Sequence, residues 1–180
     1  MGVSRVDRLA AALGILAVAL ASCGLAGFGG DRLATPAGMP EAIGPIIEVG
    51  SGQVGGAAWQ YSMYESDAGT CTRVEFPDST SETCGPGLGL MPGDRQMSLS
   101  GVGTGTGMPT QIEGFATADV AEVWLETEAG RVPATLMALA PAGLDGQAFL
   151  AFVPPRQAVG AVFALDADGD EIGREPVDVP

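Results

Sequence analysis

The residue types and spacings closest to a recognisable chemistry lie at Cys71 and Cys84 and at Asp166, Asp168 and Asp170. The cysteines stand 13 positions apart, which is not the spacing of a redox CxxC pair, and no further ligands accompany them as a metal site requires. The stretch "DADGDEIGREPV" sets Asp166, Asp168 and Asp170 at positions 1, 3 and 5 of a calcium-type loop. It departs from that pattern at position 6, Glu171 instead of glycine, and at position 12, Val177 instead of a bidentate glutamate. The three aspartates are therefore weak metal candidates. Asp168-Gly169 between apolar runs predicts a hairpin turn whose acids face water.

Other chemistries are excluded by absence. The chain has no histidine and no lysine; its eight basic residues are all arginine. Histidine-assisted nucleophiles, Schiff bases and lysine-bearing phosphate loops cannot be built. "GVGTGTG", Gly101 to Gly107, looks like a phosphate cradle but fits neither GxGxxG nor the P-loop, so an inter-strand loop is expected. The remaining catalytic route is a pair of carboxylates facing each other about 5–10 Å apart, and no spacing marks such a pair. A formal charge of −14 disfavours nucleic acid and anionic lipid heads as partners.

The elements that would hold these residues read as strands. In "AAWQYSMYES", Ala57, Trp59, Tyr61 and Met63 share one face, placing Trp59 and Tyr61 in a core, with Gln60, Ser62 and Tyr64 opposite. "VAEVWLET" separates Val123 and Leu125 from Glu122, Trp124 and Glu126. Trp124 is thus exposed in this register and buried in a shifted one. "EAG" turns the chain into "RVPATLMAL"; "QAFLAFV" and "AVGAVFAL" follow as further strands, and weaker ones are expected at 46–49, 72–76, 97–100 and 111–116. Short strands with turns about every ten residues predict an all-β domain, a single antiparallel β-sandwich of Ig-like type, over residues 46–180.

The N-terminus is different. Arg5 and Arg8 precede the apolar run Leu9 to Leu20, which ends in Leu20-Ala21-Ser22-Cys23. That order of charge, apolar run and small residues before a cysteine resembles the signal peptide and lipobox of bacterial lipoproteins. The resemblance implies a signal peptide at 1–22, diacylglyceryl transfer to Cys23 and a membrane anchor made by lipid alone. An uncleaved N-terminal helix is the competing reading, since a helix over Leu9 to Gly30 could just span a bilayer. Residues 23–45, rich in Gly, Ala and Pro, then form a linker spanning roughly 25 Å as a flexible chain.

With Cys23 lipidated, Cys71 and Cys84 are left as one pair, and a disulfide between them is expected. No thiol nucleophile then remains. The segments "GQVGGAAWQYSMYES", "GTCTRVEF", "GFATADVAEVWLETEAGRVPATL" and "FLAFVPP" are similar to exported, membrane-anchored domains of actinobacterial type. This likeness implies fold and location and carries no site residue. The sequence thus predicts an extracytoplasmic, lipid-anchored membrane protein without a cofactor. It is a non-enzymatic binding or structural module, partnered with the membrane through Cys23 and with an envelope protein or glycan. The alternative is a carboxylate-dependent hydrolase of envelope glycan.

Overall fold

Two-residue turns set the register of the first half of the domain. Gly55-Gly56, with φ of 57° and 85°, joins β1 (Ile47–Val54) to β2 (Ala57–Ser66). Positive φ at both central positions gives the backbone twist that a tight hairpin needs, and glycine adopts it without steric cost. Asp67-Ala68 leads to β3 (Gly69–Phe76) and Pro77-Asp78 to β4 (Ser79–Gly85). The four strands form an antiparallel meander in the order β1-β2-β3-β4. The computed structural model describes residues 40–89, 94–103 and 109–179. Cys23 lies outside them, as do the signal peptide and most of the 23–45 linker, and only Gly101–Gly103 of the glycine-rich stretch lie within. The last linker residues are tied to the domain, with Ala42 bridging Ser66 and Ile43 N–H donating to the Glu65 carbonyl at 2.8 Å.

The second half contains β5 (Met97–Gly103), β6 (Thr110–Ala116), β7 (Glu122–Thr127), β8 (Gly130–Pro133), β9 (Thr135–Ala138), β10 (Gln147–Val153), β11 (Val159–Leu165) and β12 (Glu171–Val179). One sheet runs β5-β6-β10-β9 and the other β12-β11-β7-β8. Taken as strands A to G with C′, this is the ABED and GFCC′ arrangement of an Ig-type sandwich. "RVPATLMAL" does not make one strand in one sheet. It crosses from the second sheet to the first at Ala134, where β8 gives way to β9. Pro133 and Pro176 both fall on edge strands, where the missing N–H breaks no interior ladder. All pairings are antiparallel and no α-helix occurs among the described residues. No helix there is long and apolar enough to cross a membrane.

The sequence leads one to expect two layers; the structure has a third. Ile112, Ala116, Phe149, Ala151 and Val153 point from β6 and β10 into the sandwich against Val123, Leu125, Val162 and Ala164. Phe115, Ala148 and Leu150, on the opposite face, meet Trp59, Tyr61, Met63 and Val74 of the meander. The meander therefore covers the outer face of β5-β6-β10-β9, with Trp59 and Phe76 packed against Phe152 at ring separations of 5.9 and 5.5 Å. This accounts for β6, in which every residue is buried.

Arg156 is the non-glycine residue with positive φ among those described, at 69°. It occupies the third position of the Pro154–Gln157 turn, closed by Gln157 N–H donating to the Pro154 carbonyl, a position that favours glycine. Arg156→Gly should raise unfolding stability by about 0.5–1 kcal/mol, read as a higher urea midpoint at unchanged slope. Arg156→Val should lower it.

Candidate functional site

Cys71 and Cys84 face each other directly across β3 and β4, their Sγ atoms 2.02 Å apart at disulfide distance and their Cα atoms 4.1 Å apart. The turn at Pro77-Asp78 creates this pairing. With Phe76 opposite Ser79, counting back along the two strands brings residue 71 opposite 84. A bond closing a loop of this length restricts the unfolded chain by about 3 kcal/mol. Glu82 lies on the same outward face, and its carboxylate forms with the two sulfurs a group of three ligand atoms within 4.8 Å. With the sulfurs bonded to each other, neither is a thiolate, so two of the three ligands are lost to a metal. Glu82 pairs instead with Arg73 at 3.2 Å, while burial raises its carboxyl above the usual range.

On the inward face of the same strand pair, the next residues along, Thr72 and Thr83, also lie opposite each other. Both donate to Glu113 Oε1 of β6, Thr83 at 2.6 Å and Thr72 at 3.2 Å. Glu113 is 2% exposed, and its Oε2 and the Tyr61 hydroxyl have no hydrogen-bond partner. Burial raises the Glu113 carboxyl above the ordinary range, and the two threonine donors oppose that only in part. Burial, then the nearby Glu113, raises Tyr61 as well, so it stays a neutral phenol. Gly101 of β5 makes room for this centre, because a Cβ there would stand 2.7 Å from both Glu113 Oε1 and Thr83 Oγ1.

Chemically this is a sealed proton-binding carboxyl. The other described carboxyl held above its usual range, Glu82, faces outward from the meander, whereas Glu113 meets its inner face. The two therefore do not form a facing acid pair.

The aspartates of the 166–170 loop do not converge. Asp166 Oδ1 accepts from the Asp168 and Asp170 backbone N–H groups at 2.9 and 3.0 Å, so this carboxylate closes its own hairpin. Gly169, at φ 87°, completes the turn between β11 and β12, while Asp168 and Asp170 are exposed.

Trp59 and Tyr61 are core, as their alternation predicts, at 5% and 0% exposure. Tyr64 is also buried, against expectation. Its ring lies under the Arg73 guanidinium at 4.9 Å, and its hydroxyl donates to the Pro40 carbonyl at 3.4 Å. Trp124 is half-buried on the outer face of β12-β11-β7-β8, its indole N–H donating to Glu122 at 2.6 Å. Beside it Phe163 is capped by Arg131 and Arg174 at 4.7 and 5.2 Å, and Arg174 bridges Glu126 and Glu171. Those hydrogen bonds hold the Glu171 carboxyl below and the Arg174 guanidinium above their ordinary ranges.

A half-open pocket of about 130 Å³ lies near the start of β1, lined mainly by Pro45, Ile47, Met63, Tyr64 and Leu144. That is small beside the 300–1,000 Å³ of typical ligand clefts.

Glu113 is the residue the sequence does not reveal. Its only local signal is phase, since in "TQIEGFA" it alternates with Gln111 and Phe115, and Phe115 marks that phase as buried. Comparison with protein-family models, curated protein sequences and solved structures returns no match to the chain.

Proposed function

We propose that this chain is a membrane-anchored extracytoplasmic lipoprotein, acylated at Cys23, whose all-β domain serves the envelope as a non-enzymatic binding or structural module. The observation that carries the reading is the cysteine arithmetic. Cys71 and Cys84 occupy each other, as suits an oxidising compartment, and the odd cysteine is the one at the lipobox-like "LASC". Two acyl chains on one residue suffice for stable attachment, so the domain need contribute nothing to membrane binding.

The binding role is supported by the shape of the described domain. Glu113 is enclosed, and the pocket near β1 is small and mostly apolar with a single acid, Glu65, in its lining. A glycan hydrolase needs two carboxyls across an open cleft. The outer face of β12-β11-β7-β8, where half-buried Trp124 lies beside a Phe163 buried beneath Arg131 and Arg174, is the surface we assign to an envelope protein or glycan.

Mass measurement on protein extracted from membranes should give a chain beginning at Cys23 and carrying a diacylglyceryl group. Cys23→Ala should retain Met1 and carry no lipid. A wild-type chain with Met1 and a free Cys23 thiol would establish the uncleaved anchor instead. In-cell cross-linking from position 124 then identifies the partner class.

A further inference from the structure

The strand β4, "STSETCG", contains no large apolar residue, and none of its seven residues is fully buried. It is also an edge, paired on one side only, with β3. Edge strands without an apolar anchor open at low free energy unless something else holds them. Beside the Arg73–Glu82 ion pair across β3 and β4, two contacts near the end of the strand do so here. On the outward face Cys84 is joined to Cys71, and on the inward face Thr83 donates to Glu113 at 2.6 Å, with Gln111 donating to Ser81 at a longer 3.5 Å. The two holds are on neighbouring residues of one strand, and their partners on β3, Cys71 and Thr72, are likewise neighbours.

The geometry points to β4 as a latched strand: the Cys71–Cys84 bond and the Thr83–Glu113 hydrogen bond together fasten it, and cleavage of that bond by a dithiol reductant frees β4 while the sandwich stays folded. The chemistry is balanced by the dithiol. Cys84 is half-buried and Cys71 fully buried, so the attacking thiolate reaches Cys84 Sγ and displaces Cys71 as a thiolate. The second thiol of the reductant then displaces Cys84 and leaves as the cyclic disulfide. Two protons and two electrons pass from the dithiol to the two cysteines. Released, β4 takes Thr83 from Glu113 and uncovers the backbone edge of β3. The titratable group facing Glu113 from the meander is Tyr61, which remains neutral throughout.

The test is hydrogen exchange on the full chain before and after dithiothreitol, with the Glu113 carboxyl followed by carbon NMR. The latch predicts at least tenfold faster exchange in Ser79–Gly85, unchanged exchange in β10 and β11, and a downward move of the Glu113 titration midpoint as water reaches the carboxyl. Equal acceleration in every strand, or none in β4, overturns it. Thr83→Val with the disulfide intact tests the second hold by itself. The latch requires the Glu113 midpoint to rise and β4 exchange to accelerate while β10 stays protected. A variant indistinguishable from wild type refutes it.

Discussion

Gly114→Ala should destabilise the domain by about 3 kcal/mol, lowering the thermal midpoint by about 10 °C, the largest loss expected from adding a single methyl group. Gly114 lies mid-strand in β6, opposite Phe149 of β10 and Leu99 of β5. A Cβ there would run into the Ser98 carbonyl oxygen and the edge of the Phe149 ring, coming within 2.6 Å of Phe149 Cε1. Ser98 belongs to the paired backbone of β5, and Phe149 is wholly buried in the sandwich core, so neither can yield cheaply. Differential scanning calorimetry reads the shift. Gly160→Ala, where a Cβ meets nothing within 4 Å, is the matched control and should move the midpoint little.

Glu113→Gln should make the protein more stable at pH 8 and remove part of its pH dependence. The folded-state carboxyl titrates above its ordinary value. Between the unfolded and folded pKa values the native state therefore binds the extra proton. The associated stability is fully present below the unfolded value and is lost as pH rises through the folded one. Above that window wild type holds a charged carboxylate with one oxygen unpartnered in a buried centre. Glutamine keeps the acceptor for Thr72 and Thr83 and has no charge to desolvate, which favours the variant by about 1–2 kcal/mol at pH 8. Near pH 4 the difference should shrink toward zero. Urea denaturation at a series of pH values measures both limits. Parallel wild-type and variant curves would remove Glu113 as a titrating group in this range.

Local chemistry made a central strand of the meander legible, whereas no strand was expected over Ser79–Gly85. "AAWQYSMYES" alternates, so Trp59, Tyr61 and Met63 fall on one face, and that face is core. Turn residues at Glu128-Ala129 and Asp168-Gly169 place two hairpins correctly. What local pattern cannot carry is which sheet covers which. Tyr64 and Ser62 lie on the phase assigned to solvent yet are buried, and Glu113 is enclosed because a separate meander lies over β6. Pairing β6 with β10 likewise joins segments with three strands between them, and no residue in either announces the other. "RVPATLMAL" shows the same limit, since nothing in its pattern marks Ala134 as the point where the chain changes sheets. The disulfide is the intermediate case. Counting thiols made the pairing legible, but that its neighbours Thr72 and Thr83 meet a buried acid depends on the third layer.

The meander and the sandwich should also differ in how quickly they assemble. Each pairing from β1 to β4 is between consecutive strands joined by two residues, and hairpins of that kind close in microseconds. The β6–β10 ladder must wait for a loop of about thirty residues to close, a slow, nonlocal step. Until then the ring faces of Trp59 and Tyr61 have nothing to lie against. The refolding chain should accordingly pass through an interval of sticky, half-formed sheet whose length is set by the second half of the sequence. Precipitation during dilution from urea should grow steeply with protein concentration over that same interval.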